Sequence, residues 1–133
     1  MSVEPELAAQ AVAAAGDVII TADRTGKITS WNGAAERLFG HSEKEAVGQS
    51  LALIVPAEYA PRHVAGFEAA MSSGRLAHGG AVARVEAADA SGTRRALGMS
   101  LGLLHDEDGQ VSGVVAVLRA LAGEIVEFVP APS

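Results

Sequence analysis

The chain contains no cysteine. That absence excludes disulfides, thiolate metal sites, cysteine nucleophiles and any photochemistry that attaches a cofactor through sulfur. Aromatic residues make up only 4% of the 133 residues while hydrophobic residues reach 49%. A core must therefore be built mainly from Ala, Val, Leu and Ile. Lys and Arg number 10 against 16 Asp and Glu, for a net charge of −6, and the basic residues are scattered. A nucleic-acid surface normally shows as a basic stripe, so direct binding to nucleic acid is excluded. No apolar run approaches the ~20 residues of a membrane span. The start Met1-Ser2-Val3-Glu4 lacks the basic opening of a signal peptide. The expectation is a cytoplasmic protein without membrane contact.

What is present suits one domain, since domains commonly run ~100–150 residues. The 15 glycines ask for tight turns or close backbone approaches. Pro5 to Ala15 reads as a helix with Leu7, Ala8, Ala11, Val12 and Ala15 on one face; Gly16 ends it. A helix this short is marginal alone, so it has to pack on its own sheet or on a second copy. Residues 17–22 form a β-branched run of strand length, and residues 27–31 a second, around the turn Asp23-Arg24-Thr25-Gly26-Lys27. Asn32 caps a helix that Gly40 stops. Ser42 with Glu45 is a capping box for a shorter helix ending at Gly48, and residues 61–73 form a longer helix closed by Gly74. Residues 80–88, 94–105 and 110–119 read as strands, separated by turns at Asp89–Thr93 and Asp106–Gly109. This order predicts an α+β domain, an antiparallel sheet with helices over one face. The boundaries are 1–15 for the N-terminal cap helix, 16–121 for the domain and 122–133 for a tail or extra strand.

No nucleophile stands with a base, no phosphate loop is visible, and Asp106, Glu107 and Asp108 belong to a hairpin turn. The chain is therefore read as a non-enzyme. His41, His78 and His105 read as exposed turn residues, and no histidine pair has zinc spacing. His63 differs. It shares a helical stripe with Phe67, Ala70 and Met71 that should face the sheet, opposite small residues Gly79, Gly80, Ala81 and Ala83.

The motifs Asp23-Arg24-Thr25-Gly26-Lys27-Ile28, Trp31-Asn32-Gly33-Ala34-Ala35-Glu36, Leu38-Phe39-Gly40, Asp106-Glu107-Asp108-Gly109 and Gly113-Val114-Val115, in this order, resemble the PAS superfamily of sensory domains. The resemblance implies a five-stranded antiparallel sheet of order 2-1-5-4-3, with a ligand cleft between sheet and helices. It also implies homodimerisation, often through the helix before the first strand, and output to a kinase or transcriptional effector. Such an effector has no room in this length, so the chain is a stand-alone module or a part of a larger regulator.

Flavin-binding LOV domains carry a reactive cysteine after the Trp-Asn corner. Here the stretch is Ala35-Glu36-Arg37-Leu38-Phe39, so flavin-cysteinyl chemistry is excluded. The segment from Ile54 through Pro56, Tyr59 and His63 to Gly74 is similar to the haem PAS domains of rhizobial oxygen-sensor kinases. That similarity implies haem b as cofactor for gas or redox sensing, with His63 as the iron ligand. A neutral imidazole in an apolar cleft is what haem iron requires. Phe67 and Met71 then line the same face, and Met99 and Leu101 form the distal wall, Met99 being able to supply a sixth ligand. The oxygen sensors place an Arg on the strand after the helix. Here Ala83 lies nearest, and Arg84, one residue out of register, falls on the other face. Without that donor, carbon monoxide or redox sensing is implied over stable oxygen binding. The alternative reading is a cofactor-free dimerisation and relay module whose pocket its own side chains fill, with Met99 as core packing.

Overall fold

Three hairpin turns in this chain are written in one grammar, an Asp followed three residues later by Gly. In the computed structural model, which describes residues 4–76 and 82–121, all three fold alike. Asp23 Oδ1 accepts from the amides of Thr25 and Lys27, Asp89 Oδ1 from those of Ser91 and Thr93, and Asp106 Oδ1 from those of Asp108 and Gln110. Gly26, Gly92 and Gly109 sit at φ 87°, 86° and 82°, a left-handed conformation that glycine adopts without steric cost. A carboxylate that accepts backbone amides in this way pre-sets the turn before the strands pair.

The turns join strands β1 (Val18–Asp23) to β2 (Ile28–Trp31), β3 (Ala83–Ala88) to β4 (Arg94–His105), and β4 to β5 (Val111–Ala120). The five strands form one antiparallel sheet of order β2-β1-β5-β4-β3. The expected strands are all found within a residue or two, except that residues 80 and 81 and the tail 122–133 lie outside the described residues. Alternation sends Val18, Ile20 and Ala22 of β1, Leu97, Met99 and Leu101 of β4, and Val114, Ala116 and Leu118 of β5 to one face. On the opposite face the Thr21 hydroxyl pairs with those of Thr29 and Ser30. Where β5 crosses β1, a Cβ at Gly113 would land on the Ala22 carbonyl oxygen, so only glycine fits that crossing.

Helices α2 (Gly33–Phe39) and α3 (Glu43–Ala46), two short 3-10 turns (Leu51–Ile54 and Ala57–Tyr59) and α4 (Ala60–Ser73) cover the inner face. Their ends follow the expected signals: Asn32 caps α2, the Ser42/Glu45 capping box forms in full, and Gly40 and Gly74 close α2 and α4 in the left-handed region. Trp31 and Phe39, at 3% and 0% exposure, anchor the main core, with Trp31 Nε1 donating to the His41 carbonyl. The N-terminal helix α1 (Pro5–Ala14) buries no residue, and Leu7 is 55% exposed. Its alanine-rich stripe offers little area, so α1 is held chiefly at its C-terminal end, through Asn32.

Asn32 is buried and fully engaged. Its Oδ1 accepts from the amides of Ile19 and Ala35, each at 3.1 Å, and its Nδ2 donates to the carbonyls of Val12 at 3.0 Å and Asp17 at 2.9 Å. The Asn32→Ala variant strands two amides and two carbonyls at once, at ~1–3 kcal/mol for each group left buried. We expect a loss of about 2–4 kcal/mol in urea unfolding. Asn32→Asp should recover little of it, because a carboxylate cannot donate to the two carbonyls.

Candidate functional site

The inner face of the sheet is lined with large side chains at one end and small ones at the other. Near Trp31 and Phe39 the space to the helices is filled. Toward α4 the sheet presents Ala22, Ala83 and Ala116, and a cavity of about 600 Å³ opens between the sheet and α4. That size falls in the ~300–1,000 Å³ range of small-molecule sites. Its walls are Ile20, Leu51, Ile54, Val85, Met99 and Leu101 on one side, with Phe67, Ala70 and Met71 of α4 on the other. All five residues expected from the sequence, His63, Phe67, Met71, Met99 and Leu101, line this one cavity.

Helical spacing puts His63 one turn before Phe67, their ring centroids 6.2 Å apart at 35°. Burial alone pulls the imidazole pKa below its ordinary 6.5, so His63 is neutral at physiological pH and keeps a lone pair available. Of the other histidines, His105 is exposed as expected and His78 lies outside the described residues. His41 corrects the expectation: it is half-buried, its ring edge-on to Trp31 at 6.3 Å. The turn after Gly40 folds back over the Trp31–Phe39 pair, which a reading of local turn signals does not show.

Polar groups gather at the rim. Arg62 and Arg84 stand there beside His63, Tyr59 and Glu86. The strand alternation is as expected, with Ala83 inward and Arg84 exposed. But β3 is an edge strand, so a long side chain on its far face still reaches the cavity mouth. Neither rim arginine was singled out as a site residue by the sequence. The alternation of β3 places Arg84 on the outer face, and the helical stripe of His63, Phe67 and Met71 does not include Arg62. The sheet order was the signal that could have found Arg84. Next to them, Arg94 bridges the helical cover to the sheet, donating to Glu58 before α4 and to Glu86 on β3. Its guanidinium lies 5.9 Å from the Tyr59 ring centroid, and Tyr59 Oη donates to Glu86. The hydrogen bond from Arg94 holds the Glu58 carboxyl below its usual range.

A cavity between an antiparallel sheet and a lightly packed helix, apolar within and polar at its rim, defines an α+β pocket module. The PAS family profile, described as "PAS fold", matches residues 6–121. The chain belongs to the PAS family. Among solved structures, it is similar to the PAS domain of a Colwellia psychrerythraea protein, at 19% identity and TM-score 0.75, over 88% of this chain and 96% of that one. It is also similar to the PAS domain of the Cronobacter turicensis RpfR quorum-sensing receptor in complex with C12:0, at 20% identity and TM-score 0.63, over 84% of this chain and 99% of that one. These likenesses establish the fold. A curated relative, an uncharacterised protein of Azorhizobium caulinodans, is 39% identical over 59 residues, which are 44% of this chain and 8% of that protein. No helix among the described residues is long and apolar enough to cross a membrane.

The lowered His63 pKa has a consequence for stability. The unfolded chain binds a proton near the ordinary value of 6.5 while the folded chain resists it. The contribution of neutral His63 is thus complete above that value and is lost as pH falls toward the depressed folded pKa. Melting of wild type and His63→Gln across this range should show the wild type losing stability relative to the variant on acidification. Parallel curves would mean that the imidazole titrates as if in water.

Proposed function

We propose that this PAS domain is a sensor that takes a small, largely apolar ligand or cofactor between the sheet and α4 and relays its occupancy to a partner. The observation that carries the reading is the cavity itself, about 600 Å³ with apolar walls. A module whose pocket is filled by its own side chains would not be expected to leave that space between Ala22, Ala116 and α4. The C12:0 complex of the Cronobacter PAS domain supports a small-molecule occupant for this fold.

Haem b is the specific occupant that His63 favours. The donor set fits: one neutral, half-buried imidazole on the cavity wall, apolar side chains around it, and two arginines at the rim. His63 would hold the iron, Phe67 and Met71 would pack against the macrocycle, and Met99 and Leu101 would close the far wall. When bound, haem would supply an iron centre for gas or redox sensing. With Ala83 facing inward, β3 would offer its one guanidinium, Arg84, at the cavity mouth and not from its inner face. Dimerisation through α1 belongs to the same proposal, since Leu7 and Ala11 leave its stripe exposed. Output to a kinase or transcriptional effector also belongs to the proposal; the matched segment is only 8% of the Azorhizobium relative, so that protein has length for further domains.

Expression with added haem precursor tests the cofactor. Wild type should purify red, His63→Ala should lose its Soret band, and Met99→Leu should keep the band with a shifted reduced spectrum. A colourless wild type, or full haem retention by His63→Ala, removes haem from the proposal. For the dimer, deleting residues 1–15 should convert dimers to monomers in light scattering. Equal dimerisation of the truncated chain would move the interface elsewhere.

A further inference from the structure

The chemistry of the cavity is divided by position. Deep inside, Ile20, Ile54, Met99, Leu101 and Val114 offer no hydrogen-bond donor. A polar atom placed there would lose its water without compensation. All the charge is at the mouth, and it is unevenly paired. Glu86 is occupied by Arg94 and Tyr59. Among the described residues Arg62 and Arg84 form no ion pair, and they approach from two different elements, α4 and the edge strand β3. An acid already satisfied beside two guanidiniums without partners leaves a net positive rim above an apolar floor.

Resting on the cavity reading above, we infer that the site selects amphipathic carboxylates, with the apolar body against Met99 and Leu101 and the carboxylate held at the rim by Arg62 and Arg84. Guanidinium groups suit this task because their planar donors match a carboxylate in pairs. Placed at the mouth, they hold the anion without taking it out of water, so the desolvation cost that defeats a buried ion pair is avoided. The same chemistry is present in a free alkanoic acid and in the propionates of haem.

The probes are decanoic acid, methyl decanoate and haemin, titrated against wild type and the double variant Arg62→Gln/Arg84→Gln by calorimetry and intrinsic Trp31 fluorescence. Both arginines are exposed, so the double variant should keep the wild-type circular dichroism and melting curve. Wild type should bind the acid about tenfold more tightly than the ester, the return of roughly one charge-assisted contact at a solvated rim. The double variant should bind the acid only as well as the ester, with the ester unchanged. Arginine-dependent binding of haemin without binding of decanoate also upholds the rim and assigns the carboxylate to a propionate. Equal affinity for acid and ester, or a double variant that keeps the preference, overturns the head-group assignment and leaves the cavity reading standing. If none of the three probes binds, the cavity reading itself falls and this inference with it.

Discussion

The Asn32 side chain is where α1 and α2 are joined to the sheet. It is the one buried polar residue in the core of the described chain, and its amide joins four segments: α1 at Val12, the link at Asp17, β1 at Ile19 and α2 at Ala35. Both lone pairs of the oxygen and both amide hydrogens are used, so no rotation of the side chain satisfies the site as well. The angle at which α2 leaves β2 is therefore fixed by one residue. A fully satisfied buried polar group of this kind specifies an arrangement that apolar packing alone leaves loose.

Beyond that joint, the scarcity of aromatic residues shapes the interior. Trp31 and Phe39, with ring centroids 5.6 Å apart, are spent on one end of the core. The other end is a small cluster of Ala22, Met71 and Val114 with Phe67 leaning on it. Between the two lies the cavity. Only Met71 of α4 is buried, and Val64 on its outer side is 49% exposed, so this helix gains little from packing. Elements with few buried contacts open at low free-energy cost, which suits a helix that admits a ligand.

Much of this was legible in the sequence because the signals were local. Asp-x-x-Gly turns, the Asn32 cap and the Ser42/Glu45 box each depend on residues within a few positions of one another. With the PAS resemblance giving the strand order, they fixed the sheet. The cavity stripe from His63 to Met71 was legible for the same reason, being helical spacing. Arg62 on α4 and the Arg94 bridge were not, because their roles depend on elements far apart in the chain coming together, and Arg84 was not, because it acts at a sheet edge. Whether a long side chain on the outer face of a strand reaches the cavity depends on whether another strand lies beyond it, which alternation within that strand does not encode. The half-buried state of His41 was hidden likewise, since it arises where a turn folds back on Trp31 rather than from its immediate neighbours. The expectation for α1 had two arms, its own sheet or a second copy, and on its own sheet α1 buries no residue. Alanine gives periodicity without much area, so the pattern of a face was present while the driving force to bury it against this sheet was weak.

The cavity and the N-terminal helix meet at the same strand. Ile20 lines the cavity, and the amide of Ile19, its neighbour in β1, donates to Asn32. The other side of that Asn32 amide holds the last turn of α1 through the Val12 carbonyl. In the proposed sensor, an occupant pressing on Ile20 would press on a strand whose neighbouring amide is clamped to α1 by a single side chain. Because all four bonds converge on one planar group, a shift of β1 cannot be absorbed there by bending one bond while the others stay. The group must move as a unit or break contacts that cost ~1–3 kcal/mol each to leave unmade. The weak packing of α1 then becomes useful. A helix that buries nothing against its own sheet can follow the displacement of its end, and in the proposed dimer carry it to the partner copy, whereas one welded to the sheet could not.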